Sequence, residues 1–329
     1  MLYRLLYICV LSVVCLSCKG QGSNSFASAD PIPVVRFDKA LFQLIETNDT
    51  TLAESLLASY PGMLDVTGKG ILNMQSTEMP GFFNKLINFY SEPNLRGLYQ
   101  DAMSRYDAIE DVEKSLGIGF AYLKANLPSL PVPRVYMHVS GFNQSILVAE
   151  NLLSVSIDKY LGKDYLLYAR FFNPYQLEKM QRANIVPDCL TAWLMSEYTF
   201  KGKENVLLER MVYEGKMKYL VSKALPSVEP GILIGYTKQQ EEWANTYEGA
   251  IWKAMIENKH LYTPDIIQTN NYFLDTPSPL FTPESPGNIG VWVGWRIVNK
   301  YMEETGVAVE ELMQAGAQDI LSASKYKPL

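Results

Sequence analysis

The N-terminal segment constrains this chain most, because it separates a membrane-directed leader from a body that must fold in water. Arg4 precedes an apolar run over 5–14, which is too short to cross a membrane as a helix. A serine comes directly before Cys18, and a small residue before a cysteine is typical of lipoprotein cleavage sites. The sequence therefore predicts a signal peptide over 1–17, lipid on Cys18 and a flexible tether over 18–30.

The composition predicts a globular body held together by packing. Hydrophobic residues make up 48% of the chain and charged residues 19%, which suits a folded domain and excludes disorder. The net charge is −6 and no basic run occurs, so nucleic acid is excluded as a partner. After cleavage and acylation, Cys189 is the one unmodified cysteine and cannot form an internal disulfide. We expect a single α-rich globular domain over 31–329.

Hydrophobic periodicity predicts an α+β fold that is mostly α-helical. Strict alternation predicts short strands over 134–140, 145–149 and 152–158, which we interpret as a small, mainly antiparallel sheet. The predicted divisions are a helical N-terminal lobe (31–128) with a loop at 62–81, the sheet (134–158) and a helical C-terminal lobe (165–329).

Three predicted helices in the C-terminal lobe carry the informative side chains; they span 188–199, 205–224 and 288–304. Gly290 and Gly294 lie one turn apart in the last of them. Because glycine costs about 1 kcal/mol per helical position relative to alanine, the pair indicates another backbone lying very close.

Glu214 lies on or beside the apolar stripe of the 205–224 helix, where an unpartnered carboxylate is rare. Arg210 and Lys218 stand one turn before and one turn after it. One interpretation is a shielded ion triad in which these side chains, or a neighbouring tyrosine hydroxyl, hold a Glu214 that is at least half buried. The other interpretation is a metal ligand or general base in a groove.

Established catalytic motifs are missing from the sequence. A hydrolytic zinc site commonly has two histidines one helical turn apart, whereas His138 falls in a strand and His260 far downstream. No Gly-x-Ser-x-Gly elbow and no phosphate-binding loop occur. Asp188, Cys189 and Glu214 could bind a metal in principle, but their spacing gives no strong pattern. We therefore predict no catalytic residue, no metal and no cofactor.

Several segments together resemble one family. They are Leu207–Leu220, Ile234–Lys238, Pro286–Met302, Ser324–Pro328, Asp158–Gly162 and Asn173–Gln176. In combination they are similar to the GldB-type gliding-motility lipoproteins of Bacteroidetes, along nearly the whole mature chain. The resemblance implies an outer-envelope lipoprotein linked to gliding and to type IX secretion. It implies no biochemical activity.

A more distant likeness is to predicted zinc peptidases of the gluzincin type. Glu214 followed by Gly215 matches the motif of their third zinc ligand, and the 188–199 helix occupies the place of their HExxH helix. That helix carries Asp188 and Ala192, and both histidines and the general-base glutamate are missing. The likeness implies a zincin-like scaffold without zinc, a pseudo-enzyme. Its degenerate groove would contain Asp188, Ala192, Arg210, Glu214 and Lys218.

The sequence thus favours a non-catalytic binding or assembly component of the envelope, with one or more envelope proteins as partners. One alternative is an active zinc-dependent peptidase or hydrolase with atypical ligands. Another is a peptide- or glycan-binding lipoprotein unrelated to secretion. The tether begins Lys19-Gly20 without an acidic run, which favours the periplasmic face of the outer membrane.

We expect Cys18→Ala to leave the chain unprocessed or soluble, because acyl chains on this residue are the predicted membrane attachment. Fractionation of cells, with processing followed by mass, measures the outcome, and Cys15→Ala is the control. A processed, firmly membrane-bound Cys18→Ala protein would show that the lipoprotein assignment is wrong.

Overall fold

The computed structural model describes residues 26–328, apart from residues 48 and 279. The predicted signal peptide and Cys18 lie outside the described residues. Within the described range, no helix combines the length and apolarity needed to cross a bilayer.

Helices form the N-terminal part of the fold: α1 (Phe37–Thr47), α2 (Thr50–Ser59), α3 (Pro61–Thr67), α4 (Phe82–Tyr90), α5 (Pro93–Arg105) and α6 (Glu110–Asn126). A π-helical turn, Gly68–Leu72, follows α3. The expected loop at 62–81 is therefore partly helical. Met63, Leu64 and Leu72 are buried there, so tertiary packing outweighs the local glycines.

The sheet has four strands: β1 (Val34–Val35), β2 (Arg134–His138), β3 (Ile146–Ala149) and β4 (Leu152–Ser156). Their order is β1-β2-β4-β3. Both β1–β2 and β2–β4 are parallel, and β3–β4 is antiparallel. The sheet is thus mixed, and the prediction of a mainly antiparallel sheet is wrong.

The burial of β4 accounts for the strand order. Every residue of β4 is buried, so it takes an interior position beside β2, while the partly exposed β3 lies at the edge. The Asp158 carboxylate accepts hydrogen bonds from the backbone N–H groups of Ser140 (3.0 Å) and Phe142 (2.7 Å). These bonds hold the turn after β2 against the end of β4. A period-2 pattern gives the strands but not which strands are neighbours.

The C-terminal part is helical again: α7 (Pro174–Leu177), α8 (Ile185–Glu197), α9 (Leu207–Ala224), α10 (Pro230–Ile234), α11 (Lys238–Thr246), α12 (Glu248–Glu257), α13 (Ile266–Asn271), α14 (Ile289–Thr305), α15 (Val309–Gln314) and α16 (Ala317–Ser324). Short 3-10 turns lie at Ile157–Lys159, Leu166–Arg170 and Arg182–Asn184. Helix α8 begins three residues before Asp188. Pro187 fits its first turn, where backbone N–H groups need no helical partner.

Helices α9 and α14 cross at glycines, which allows their backbones to touch. A Cβ atom on Gly294 would overlap the carbonyl oxygen of Met211, and one on Gly215 would overlap the backbone of Gly294. Gly290 packs instead on Phe273, whose ring would lie 2.9 Å from an added Cβ. The prediction of close backbone approach at Gly294 is confirmed. The crossing fixes α9 against α14 and so places the side chains beside Gly215.

We expect Gly294→Ala to destabilise the fold by about 3 kcal/mol or more, because the added Cβ meets backbone that cannot rotate away. Gly97→Ala in α5 is the matched control. Nothing lies within 4 Å of its added Cβ, so alanine should leave stability unchanged or raise it by up to about 1 kcal/mol. Urea unfolding of both variants tests this, and equal midpoints would show that the α9–α14 contact is loose.

Candidate functional site

A cleft of about 230 Å³ opens beside the α9–α14 crossing. Its lining combines charged and polar side chains with an apolar wall: Lys179, Arg210, Glu214, Lys218, Ile234, Phe273, Asn288 and Val291. Three of the five residues of the predicted groove are present, namely Arg210, Glu214 and Lys218 on successive turns of α9. The cleft is therefore the candidate functional site.

Glu214 is partly buried in this cleft. Burial raises the pKa of its carboxyl group, the positive charges of Lys218 and Arg210 act to lower it, and Glu204 acts to raise it. The net shift is upward. Within the described part of the chain, the carboxylate forms no hydrogen bond and no close ion pair. The expected burial is confirmed, whereas the expected hydrogen-bonding partner is not found.

Arg210 does not hold Glu214, because its guanidinium is engaged elsewhere. Its Nη1 donates to Oδ1 of Asn270 at 2.6 Å, and the guanidinium lies 4.1 Å from the centre of the Phe273 ring. It also forms a 3.7 Å ion pair with the exposed Glu204. Aromatic stacking and a neutral amide thus replace the expected ion triad.

Lys218 connects Asp188 electrostatically with Glu214. Burial lowers the pKa of the Lys218 ammonium, and the charges of both carboxylates act to raise it. Asp188 accepts a 2.9 Å hydrogen bond from the hydroxyl of Tyr160. Burial raises the pKa of Asp188, with Lys218 and this hydrogen bond acting in the opposite direction. Asp188 thus lies close enough to the cleft for its charge to act on Lys218, although it is not part of the lining.

Ala192, the remaining residue of the predicted groove, does not line the cleft. It lies one turn after Asp188 on α8 and packs against the hydrophobic core.

Sequence reasoning did not identify Lys179 or Asn288 as lining residues. Lys179 forms a 2.5 Å ion pair with Asp275, and Asn288 Nδ2 donates to the same carboxylate at 2.8 Å. The Lys179 stem fills the space where Gly235 (φ +82°) has no side chain. Gly235 in the Ile234–Lys238 segment was the one signal for this contact.

The histidines and the cysteine lie apart from the cleft lining. His138 Nδ1 is 2.7 Å from Ser154 Oγ, and burial lowers its pKa to about 3. His260 Nδ1 is 2.7 Å from the Tyr272 hydroxyl, and burial raises the pKa of the Cys189 thiol. No cluster of three potential metal-binding His, Cys, Asp or Glu side chains occurs among residues 26–328 as described.

A larger groove of about 670 Å³ lies on another flank of α9. Lys216 lines it, and its Nζ donates to the carbonyls of Ala315 (2.7 Å) and Met313 (3.2 Å). Burial lowers the pKa of Lys216 to about 8. Because its ammonium already joins α9 to the end of α15, we interpret this groove as structural despite its size.

We expect Glu214→Gln to gain stability relative to wild type as the pH rises. The carboxyl binds its proton more tightly in the folded than in the unfolded chain. Ionising it therefore costs folding free energy above the ordinary glutamate pKa, and glutamine removes that cost. Urea unfolding from about pH 4 to about pH 8 measures the difference. Glu257→Gln, on the exposed face of α12, is the control. A Glu214→Gln deficit that grows with pH would show that the carboxylate is well partnered.

Comparison with known proteins agrees with the sequence resemblance. A family model described as gliding motility protein GldB matches residues 22–328, nearly the whole chain. No curated protein and no solved structure matches it. The likeness to zinc peptidases stays a prediction. The chain belongs to the GldB family of gliding motility proteins, which are lipoproteins of the cell envelope.

Proposed function

We propose that this protein is a non-catalytic binding or assembly component of the envelope, of the kind associated with gliding and type IX secretion. Its binding site is the cleft beside the α9–α14 crossing. The supporting observation is that separate segments of the family resemblance meet at this cleft.

Four of these segments contribute. Glu214 and Lys218 come from the first, Ile234 from the second and Asn288 from the third, and all four residues line the cleft. The hydroxyl of Tyr160, from a further segment, donates to Asp188, which lies outside the lining of the cleft. The second and third segments are also joined directly, since the Tyr236 hydroxyl donates to the carbonyl of Gly287 at 2.8 Å. Segments far apart in the chain thus build one small site.

The chemistry of the lining supports binding. A cleft with charges of both signs and an apolar wall can orient a polar ligand. The rival hydrolase would need Glu214 as a general base and an atypical ligand set. The two hypotheses differ in whether Glu214→Gln abolishes hydrolysis of a peptide by the purified protein.

We further propose that the protein lies at the outer membrane and faces the periplasm. The tether lacks an acidic run directly after Cys18, which supports this orientation.

Replacement of the chromosomal gene in the source bacterium tests the proposal. We expect the double variant Glu214→Gln/Lys218→Met to reproduce the deletion strain, in cell movement and in the set of exported surface proteins, at a normal protein level. The matched control is Lys253→Met/Glu257→Gln, which removes an exposed pair with the same spacing and a 3.7 Å separation.

A cleft variant that behaves as wild type, where the deletion strain does not, would contradict the assigned binding site. A deletion strain with normal export would favour the peptide- or glycan-binding alternative. Peptide hydrolysis by the wild-type protein, lost in Glu214→Gln, would favour the hydrolase.

A further inference from the structure

Two opposite charges in the cleft, on Glu214 and Lys218, form no hydrogen bond and no close ion pair within the described chain. The pKa of Glu214 is set by burial and by charges at a distance, without any hydrogen bond, and the same holds for Lys218. The other two cations of the lining differ, because Lys179 is paired with Asp275 and Arg210 is bonded to Asn270.

Helical spacing makes this arrangement unusual. A glutamate four residues before a lysine is the favoured order for an ion pair along a helix. Glu214 and Lys218 have this spacing, both are partly buried, and both line the same cavity. Nevertheless they form no ion pair within the part of the chain that the structure describes, although Asp65 and Lys69 on the surface pair at 2.7 Å with the same spacing. The cleft thus offers a ligand the Glu214 carboxylate as an acceptor and the Lys218 ammonium as a donor.

The size and the apolar wall limit what can fit between these charges. A volume of about 230 Å³ corresponds to the space of about eight waters, comparable with one amino acid. Ile234, Phe273 and Val291 are the apolar residues of the same lining. A ligand that uses every part of the lining has a positive group, a negative group and an aliphatic group close together.

We infer, resting on the proposed binding role of the cleft, that its ligand is a free α-amino acid bound as the zwitterion. The ammonium lies on Glu214, the carboxylate lies on Lys218, and an aliphatic side chain packs on Ile234, Phe273 and Val291. The anchoring charges stand on one rigid helix that the glycine crossing holds in place.

This arrangement makes both ligand charges necessary. A molecule that lacks the ammonium leaves Glu214 without a bonded partner, and one that lacks the carboxylate leaves Lys218 without one, since Asp188 and Glu214 act on Lys218 only through their charge. Leaving a desolvated charge without a partner weakens binding by roughly tenfold or more.

Isothermal titration calorimetry of the full chain in detergent tests the inference with three probes: L-leucine, N-acetyl-L-leucine and L-leucinamide. We expect L-leucine to bind at least about tenfold more tightly than either blocked form. Glu214→Gln should remove the preference over N-acetyl-L-leucine. Lys218→Met should remove the preference over L-leucinamide. Lys253→Met and Glu257→Gln should leave both preferences unchanged.

Equal affinity for all three probes, or no heat with L-leucine at millimolar concentration, would overturn the inference. A preference that survives both cleft substitutions would place the ligand elsewhere and overturn it as well. Failure of the proposed function is a separate result. If leucine does not bind but the cleft variant still reproduces the deletion strain, the binding role stands and the ligand class is wrong.

Discussion

The contact of two backbones at Gly215 and Gly294 is the constraint on which the rest of the site depends. Side chains normally hold helices apart, and at this point α9 and α14 have none between them. The close approach sets the rotation of α9. Arg210, Glu214 and Lys218 therefore face one cleft, and Lys216 faces a different groove. The same two glycines thus allow the close packing at the crossing and place the Glu214 and Lys218 charges in the cleft beside it.

The cleft shows how charges can remain unpaired in a well-packed protein. Arg210 satisfies its guanidinium with Asn270 and the Phe273 ring, and Lys179 is held by Asp275. These contacts engage two of the three cations of the cleft, and the third, Lys218, acts on Glu214 through its charge without a hydrogen bond. Unpaired charges at a partly buried position cost stability, and such sites are commonly functional. This cost is the physical reason to interpret the cleft, rather than the larger groove at Lys216, as the binding site.

Sequence reasoning found what depends on local pattern. Helical spacing placed Glu214 between Arg210 and Lys218, and the glycine pair predicted a close backbone contact. It did not find Lys179 or Asn288, because their positions depend on how distant loops fold against α9 and α14. It also gave the wrong sheet, since alternation identifies β4 as a strand but not its place beside β2. The predicted ion triad is wrong at Arg210, because the residues that bind its guanidinium, Asn270 and Phe273, are distant from it in sequence.

Glu214 is a partly buried carboxylate without a hydrogen-bonding partner, in a cleft beside the glycine crossing. The most direct measurement is the pKa of the Glu214 carboxyl group, followed by carbon NMR in the full chain with Glu214→Gln used to assign its signal. We expect the carboxyl group to titrate above the ordinary glutamate value. Titration at or below that value would show that Lys218 or Arg210 pairs with the carboxylate, and the cleft would then be a closed ion cluster.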